Sequence, residues 1–341
     1  MPRIIEWWDK YQIPLYLAAL ALGALIGLAA PAIAPTFELA INPVLMVLLY
    51  ATFLGVPLTK VGQALRDGRF LAGLTMLNFL IVPVVVYLLS RFVADDQALL
   101  LGVLLVLLAP CIDYVIVFSG LAGAAHDKLL AAAPLLMLLQ MLLLPVYLRI
   151  FVGPGLFDVI DLAPFLEAFF LLIVAPLALA ALTQVLAARS RPARQVMDLM
   201  QALMVPLMML TLAVVVASQI DAVRTDLGLL LRVIPLYIIF LVVMVPLGIL
   251  TARVFKQDVP TTRATVFSGA TRNSLVVLPL ALALPEALAL AAVVVVTQTL
   301  VELVGMIIYV RLIPRVVPEK NGARAVTVAP AGGPWVPRCG R

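Results

Sequence analysis

Within an apolar segment running from about Ala98 to Leu121, the run Pro110-Cys111-Ile112-Asp113 places a helix breaker, a thiol and a carboxylate together. A charged group at bilayer depth is disfavoured by roughly 2.5–3.5 kcal/mol or more, so it faces a cavity, a partner or a transported species. A second run, Thr271-Arg272-Asn273-Ser274, likewise puts a charge and small polar groups into an apolar segment. Glu302 is a further deep acid, sharing a helix face with Thr299 and lying close to Gln298. Asn78 and Gln140 are lone amides in apolar surroundings.

Each of these groups has a plain structural reading beside a chemical one. Cys111 is either a small buried residue or, at a helix amino terminus near Arg272, a thiolate-favoured soft ligand. Asp113 and Arg272 either form a buried pair that spares each the cost of isolation, or Asp113 titrates during transport while Arg272 tunes its affinity for a proton or anion. Lone amides such as Asn78 and Gln140 commonly bond a neighbouring helix, and the alternative is a part in ion coupling. Asp113, Arg272 and Glu302 sum to one negative charge, which suits a proton or a sodium ion.

The elements that must hold these groups follow from composition. Of 341 residues, 65% are hydrophobic and 12% are charged, against about 25% charged in a typical soluble domain. A bilayer core takes about 20 apolar residues per helix. Runs of that length predict ten spans, at about 12–34, 38–58, 69–93, 98–122, 129–152, 162–188, 197–219, 228–252, 262–284 and 287–313. The first ends in Ala32-Ile33-Ala34, but its length and the acidic residues Glu6 and Asp9 argue for a retained helix and against a cleaved secretory signal. On this reading eighteen Lys and Arg fall on one side, and only Arg91, Arg149, Arg224 and Arg232 on the other. That asymmetry predicts an inner-membrane protein with both termini in the cytoplasm. Residues 1–316 form the membrane domain, and the tail at 317–341, without a periodic apolar face, is expected to be disordered and cytoplasmic.

An offset of about 160 residues aligns Pro43 with Pro206, Val82-Pro83 with Val245-Pro246, and Thr59-Lys60-Val61-Gly62 with Ser218-Gln219-Ile220-Asp221. The same shift brings the Pro110 run onto the Thr271 run. Five helices per half, about 10–155 and 156–316, require the halves to lie in opposite orientations. The expected architecture is therefore an all-α integral membrane protein of two inverted five-helix repeats, with interrupted fourth and ninth helices crossing at the midplane.

Several classes fall away. Cys111 and Cys339 give neither a disulfide framework nor a zinc pattern. His126 sits in a short polar loop, and Met204, Met208 and Met209 read as packing surface. The basic residues sit at span ends, which is no nucleic-acid signal. No nucleotide-binding loop, paired catalytic acids or Ser/His pair is visible, so no enzyme and no cofactor is expected.

The motifs resemble those of the bile acid:sodium symporter and arsenical-resistance permease superfamily, most closely its arsenite efflux branch. The likeness rests on Leu77-Asn78-Phe79-Leu80-Ile81-Val82-Pro83, Pro110-Cys111-Ile112 with Phe118 to Gly123, and Leu139-Gln140 through Pro145-Val146-Tyr147. Val205-Pro206-Leu207, Thr271-Arg272-Asn273-Ser274 and Leu300-Val301-Glu302-Leu303 extend it. The resemblance implies a panel and a core group of helices and a Cys111 that binds trivalent arsenic as transported substrate. The chain departs from that branch in having Leu275, Val276 and Val277 where an acid follows the ninth-helix Asn, and Gln298-Thr299 in place of Gly-Pro.

The leading expectation is export of arsenite from the cytoplasm by proton antiport. Cys111, Asp113, Thr271, Arg272, Asn273 and Ser274 would line the substrate site, and Asp113, Glu302, Gln298, Asn78 and Gln140 would serve ion or proton coupling. The alternative is sodium-coupled uptake of a small organic anion, with Arg272 on its carboxylate and Asn273, Gln298 and Glu302 near sodium.

Overall fold

The computed structural model describes residues 2–55, 67–111, 114–153, 170–225 and 227–319. These are almost wholly helical. The helices are α1 (Pro2–Ala29), α2 (Ala34–Gly55), α3 (Gly68–Met76), α4 (Val82–Ser90), α5 (Gln97–Leu107), α6 (Tyr114–Leu121), α7 (His126–Val152) and α8 (Ala175–Ala187). They continue with α9 (Arg191–Ala202), α10 (Met204–Thr225), α11 (Leu227–Val254), α12 (Val259–Ala270), α13 (Ser274–Leu282) and α14 (Leu290–Val316). The expected tail beyond Glu319 lies outside the described residues.

Among the described residues five segments are long and apolar enough to cross a bilayer: Pro31–Gly55, Gly68–Val93, His126–Val152, Gly228–Val254 and Leu290–Val316. A sixth arises if α9 and α10, bent by 53°, act as one span. The bend has a local cause. Pro206 has no amide hydrogen to give the Ala202 carbonyl, so the helix arriving from Arg191 ends there. The expected straight span at 197–219 is therefore two elements, the first an amphipathic helix carrying Arg191, Arg194 and Asp198.

Proline also shapes the span Gly68–Val93, where α3 and α4 are joined by a π-helical turn over Leu77–Ile81. Pro83 leaves the Phe79 carbonyl without its helical donor, and the Tyr147 hydroxyl of α7 supplies one at 2.6 Å. The wide turn carries Asn78 into the protein interior, where it is fully buried.

Packing separates two groups. Helices α1, α2, α8, α9 and α10 pack mainly on one another, whereas α3 to α7 and α11 to α14 form a second cluster. Contact between the groups runs mostly through α10 against α14 and α11, with α2 touching α13. Within the first group α1 lies backbone to backbone on α10: a Cβ at Gly23 or at Gly27 would sit 2.5 Å from the carbonyl of Ala213 or Ala217 respectively. Small residues spaced one turn apart permit this approach, a device suited to lipid, where hydrophobic burial does not drive helices together.

Candidate functional site

Two chain breaks define the centre of the second cluster. Pro110 gives no amide hydrogen and keeps Ala109 out of the helical region, so α5 stops at Leu107. The second break contains no proline. It follows Ala270, with Thr271 extended (φ −86°, ψ 137°) and Asn273 capping α13 by accepting from the Val276 amide at 3.2 Å. At eleven, twelve and nine residues, α5, α12 and α13 reach roughly half of a 30 Å hydrocarbon layer each.

The breaks meet as a miniature antiparallel ladder centred on Pro110 and Arg272. The Cys111 amide donates to the Thr271 carbonyl at 3.2 Å, and the Asn273 amide donates to the Ala109 carbonyl at 2.8 Å. Irregular backbone in a membrane protein must find partners inside the protein, and here each break satisfies the other. Cys111 is buried beside this ladder, with an exposure of 1%.

Arg272 ties the crossing to its surroundings. One guanidinium nitrogen, Nη2, donates to Asn78 Oδ1 at 2.9 Å, to the Ser268 carbonyl at 2.6 Å and to the Gly269 carbonyl at 2.8 Å. The other, Nη1, donates to the Leu107 carbonyl at 3.3 Å. The Phe240 ring of α11 lies 5.5 Å from the guanidinium carbon, within cation–π range. The side chain is wholly buried. Asn78 is held in turn, its Nδ2 donating to the Leu74 carbonyl and to Ser268 Oγ, both at 3.1 Å. Its oxygen therefore faces the cation.

Glu302 of α14 closes the other side. Its Oε2 accepts from the Arg272 backbone amide at 2.8 Å and from Gln298 Nε2. Thr271 Oγ1 returns to its own helix at the Phe267 carbonyl, 2.8 Å away. Asn78, Thr271, Arg272, Gln298 and Glu302 thus form one connected site with the backbone of Ala109 and Cys111. Gln140 is buried in α7, its Oε1 without a hydrogen-bond partner. Asp113 lies outside the described residues, and with it the expected Asp113–Arg272 pair.

Three buried side-chain groups beside the crossing have no hydrogen-bond partner: Asn273 Nδ2, Ser274 Oγ and Gln298 Oε1. Burying a polar group unpaired costs about 1–3 kcal/mol, so three at one place make this the candidate position for a ligand. Ser274 also lines a nearly closed seam of about 10 Å³, roughly the room for one water. Leu20 of α1 and Leu212, Val215 and Val216 of α10 form one wall, and Ser274, Leu275 and Leu278 of α13 with Val295, Val296, Thr299 and Leu300 of α14 the other. The seam therefore lies between the two helix groups. Sequence alone does not reveal it, because its walls are ordinary Leu and Val.

A multi-pass helical membrane protein whose buried polar groups converge where two helix breaks meet has the form of a membrane transporter. Residues 42–226, more than half of the chain, match the sodium bile acid symporter family, and the chain belongs to that family. The match includes Pro110 and Cys111 and ends before the second break. A search of curated proteins gave no match. Members of the family are transporters and not enzymes.

Proposed function

We propose that the protein is a cation-coupled secondary transporter of a small organic anion with an apolar body, bound where the seam meets the amino terminus of α13. The observation that carries this reading is the pair of unpartnered buried donors, Asn273 Nδ2 and Ser274 Oγ, at the start of α13, the helix whose residues Ser274, Leu275 and Leu278 line that apolar slot. A carboxylate there would meet both donors and the positive end of the α13 dipole, while its hydrocarbon part would lie along Leu20, Val215, Leu275 and Leu278. We assign the carboxylate to these donors and not to Arg272, whose guanidinium is engaged by protein oxygens. A sodium ion, as the family's description suggests, would take Gln298 Oε1 and the Glu302 carboxylate. Alternating access would rock α1, α2, α8 and α10 against the crossing group and open the seam to each side in turn.

The same reading takes the chain as ten spans in two inverted repeats, in the inner membrane with cytoplasmic termini. In support, the ladder at Pro110 and Arg272 joins positions related by the repeat offset, and the basic residues are strongly biased to one side.

A second reading, arsenite export by proton antiport, is favoured by one observation: a thiol, Cys111, is buried at the crossing. Proteoliposomes separate the two. We expect sodium-driven uptake of an organic acid that falls at least tenfold in Ser274→Val, which removes the hydroxyl, and survives Cys111→Ala. Proton-driven movement of arsenite abolished by Cys111→Ala, with no organic acid carried, would replace the first reading by the second.

A further inference from the structure

We propose that the Arg272 guanidinium occupies the place of a coupling cation, so that this transporter carries one cation permanently as part of its own chain. The inference rests on the reading of the crossing as a transport site and concerns how that site is charged.

Among the described residues, four oxygens hold the guanidinium: the side-chain oxygen of Asn78 and the carbonyls of Leu107, Ser268 and Gly269. Carbonyl and amide oxygens at 2.6–3.3 Å from a buried positive group are the ligand type that hard cations select. Three of the four come from the last turns of interrupted helices, α5 and α12. In transporters built on broken helices, such carboxyl-terminal ends are where coupling cations bind. Each end carries roughly half a negative charge, so two ends together balance about one positive charge. The guanidinium supplies that charge from within, and its stem enters from the break itself.

The arrangement predicts a latent ion site. Removing the side chain while leaving the oxygens should create a cage that a free monovalent cation fills. With Arg272 present, a free coupling ion is confined to the neighbourhood of Gln298 and Glu302.

The test uses the full chain purified in detergent, without substrate. Melting curves and binding of radioactive sodium are recorded in sodium, potassium and choline chlorides of equal ionic strength for wild type, Arg272→Ala and Arg272→Lys. Arg272→Ala should melt well below wild type in choline, regain part of the loss saturably with sodium or with millimolar methylguanidinium, and bind one more sodium per chain than wild type. Arg272→Lys, which keeps a tethered charge, should bind no additional sodium and melt close to wild type in choline. The proposal is overturned if Arg272→Ala melts identically in all three salts with no effect of methylguanidinium, or if it binds no additional sodium. Should Arg272→Ala yield no folded protein in any salt, Arg272→Lys decides: melting near wild type in choline supports the tethered cation, and a large loss there overturns it. No transport is measured in this experiment, so failure of the organic-anion reading in proteoliposomes would leave these outcomes readable, and the reverse holds too.

Discussion

At the scale of single residues the organising group is Arg272, and its partners explain its tolerance at bilayer depth. A guanidinium presents five donors in a rigid fork, and here the fork is met by oxygens from α5, α12 and the π-helical turn. Asn78 supplies the side-chain oxygen among the four. Asn78→Leu keeps a comparable volume but removes one of the three acceptors of Nη2, and a hydrogen bond to a charged group is worth about 1.5–3 kcal/mol. We expect a loss of stability in that range, measured by denaturation in detergent, whereas an Asn bonding only another helix would cost about 0.6 kcal/mol in a membrane. The sequence marked Asn78 and Arg272 separately as polar intruders. Their pairing was hidden because it depends on the π-helical turn and on backbone carbonyls, neither of which has a side-chain signature. Ser274 and Asn273 stood out for the same reason as Arg272, but only the folded chain distinguishes the donors without partners from Thr271, whose hydroxyl is bonded within its own helix.

At the scale of elements, helix ends do most of the specifying. The apolar runs located the segments now seen as α2, α7, α11 and α14 to within a few residues, because a run of about 20 apolar residues with few charges has one stable use. Interruptions were legible where proline or a cluster of polar groups announced them, as at Pro110 and at Thr271 to Ser274. One was missed at Leu203 despite Pro206, because the apolar pattern continues across the 53° bend and other prolines, Pro43 and Pro235 among them, sit inside unbroken helices. Helix starts outside the bilayer can be tested through pH. Asp67 caps α3 by accepting from the Phe70 amide at 3.2 Å and pairs with Lys128 of α7 at 2.7 Å. The Lys128 ammonium holds its pKa below the ordinary carboxylate value, partial burial opposing and the Phe70 amide assisting. A carboxylate with a lowered folded-state pKa stabilises above its unfolded pKa of about 3.9 and loses that contribution as pH falls through the folded value. Both side chains are about 40% exposed, so the pair is worth roughly 0.2–1 kcal/mol. Asp67→Asn, which keeps a good cap, should melt slightly below wild type at pH 7, and the gap should close on acidification below the carboxylate range.

At the scale of the whole molecule, the proposed mechanism requires motion between the two helix groups, and the seam is where that motion would occur. Its walls are apolar and its volume of about 10 Å³ admits no organic solute, so the described conformation is closed at this point. Leu20 of α1 and Leu278 of α13 line the same small cavity from opposite groups. If the groups rock against each other, joining these positions should arrest transport without unfolding the chain, because nothing within either group is altered. In a background lacking Cys339, Leu20→Cys with Leu278→Cys, oxidised or bridged by a short reducible cross-linker, should lose at least tenfold in transport and recover on reduction. Each single variant shortens one apolar contact to the substrate and should weaken transport only a few-fold, leaving the cross-linking loss readable against the reduced form of the same double variant. A cross-linked protein transporting at the wild-type rate would mean that the two groups move as one body. The solute would then pass within the crossing group, where α5, α6, α12 and α13 meet, and the rocking mechanism would have to be abandoned.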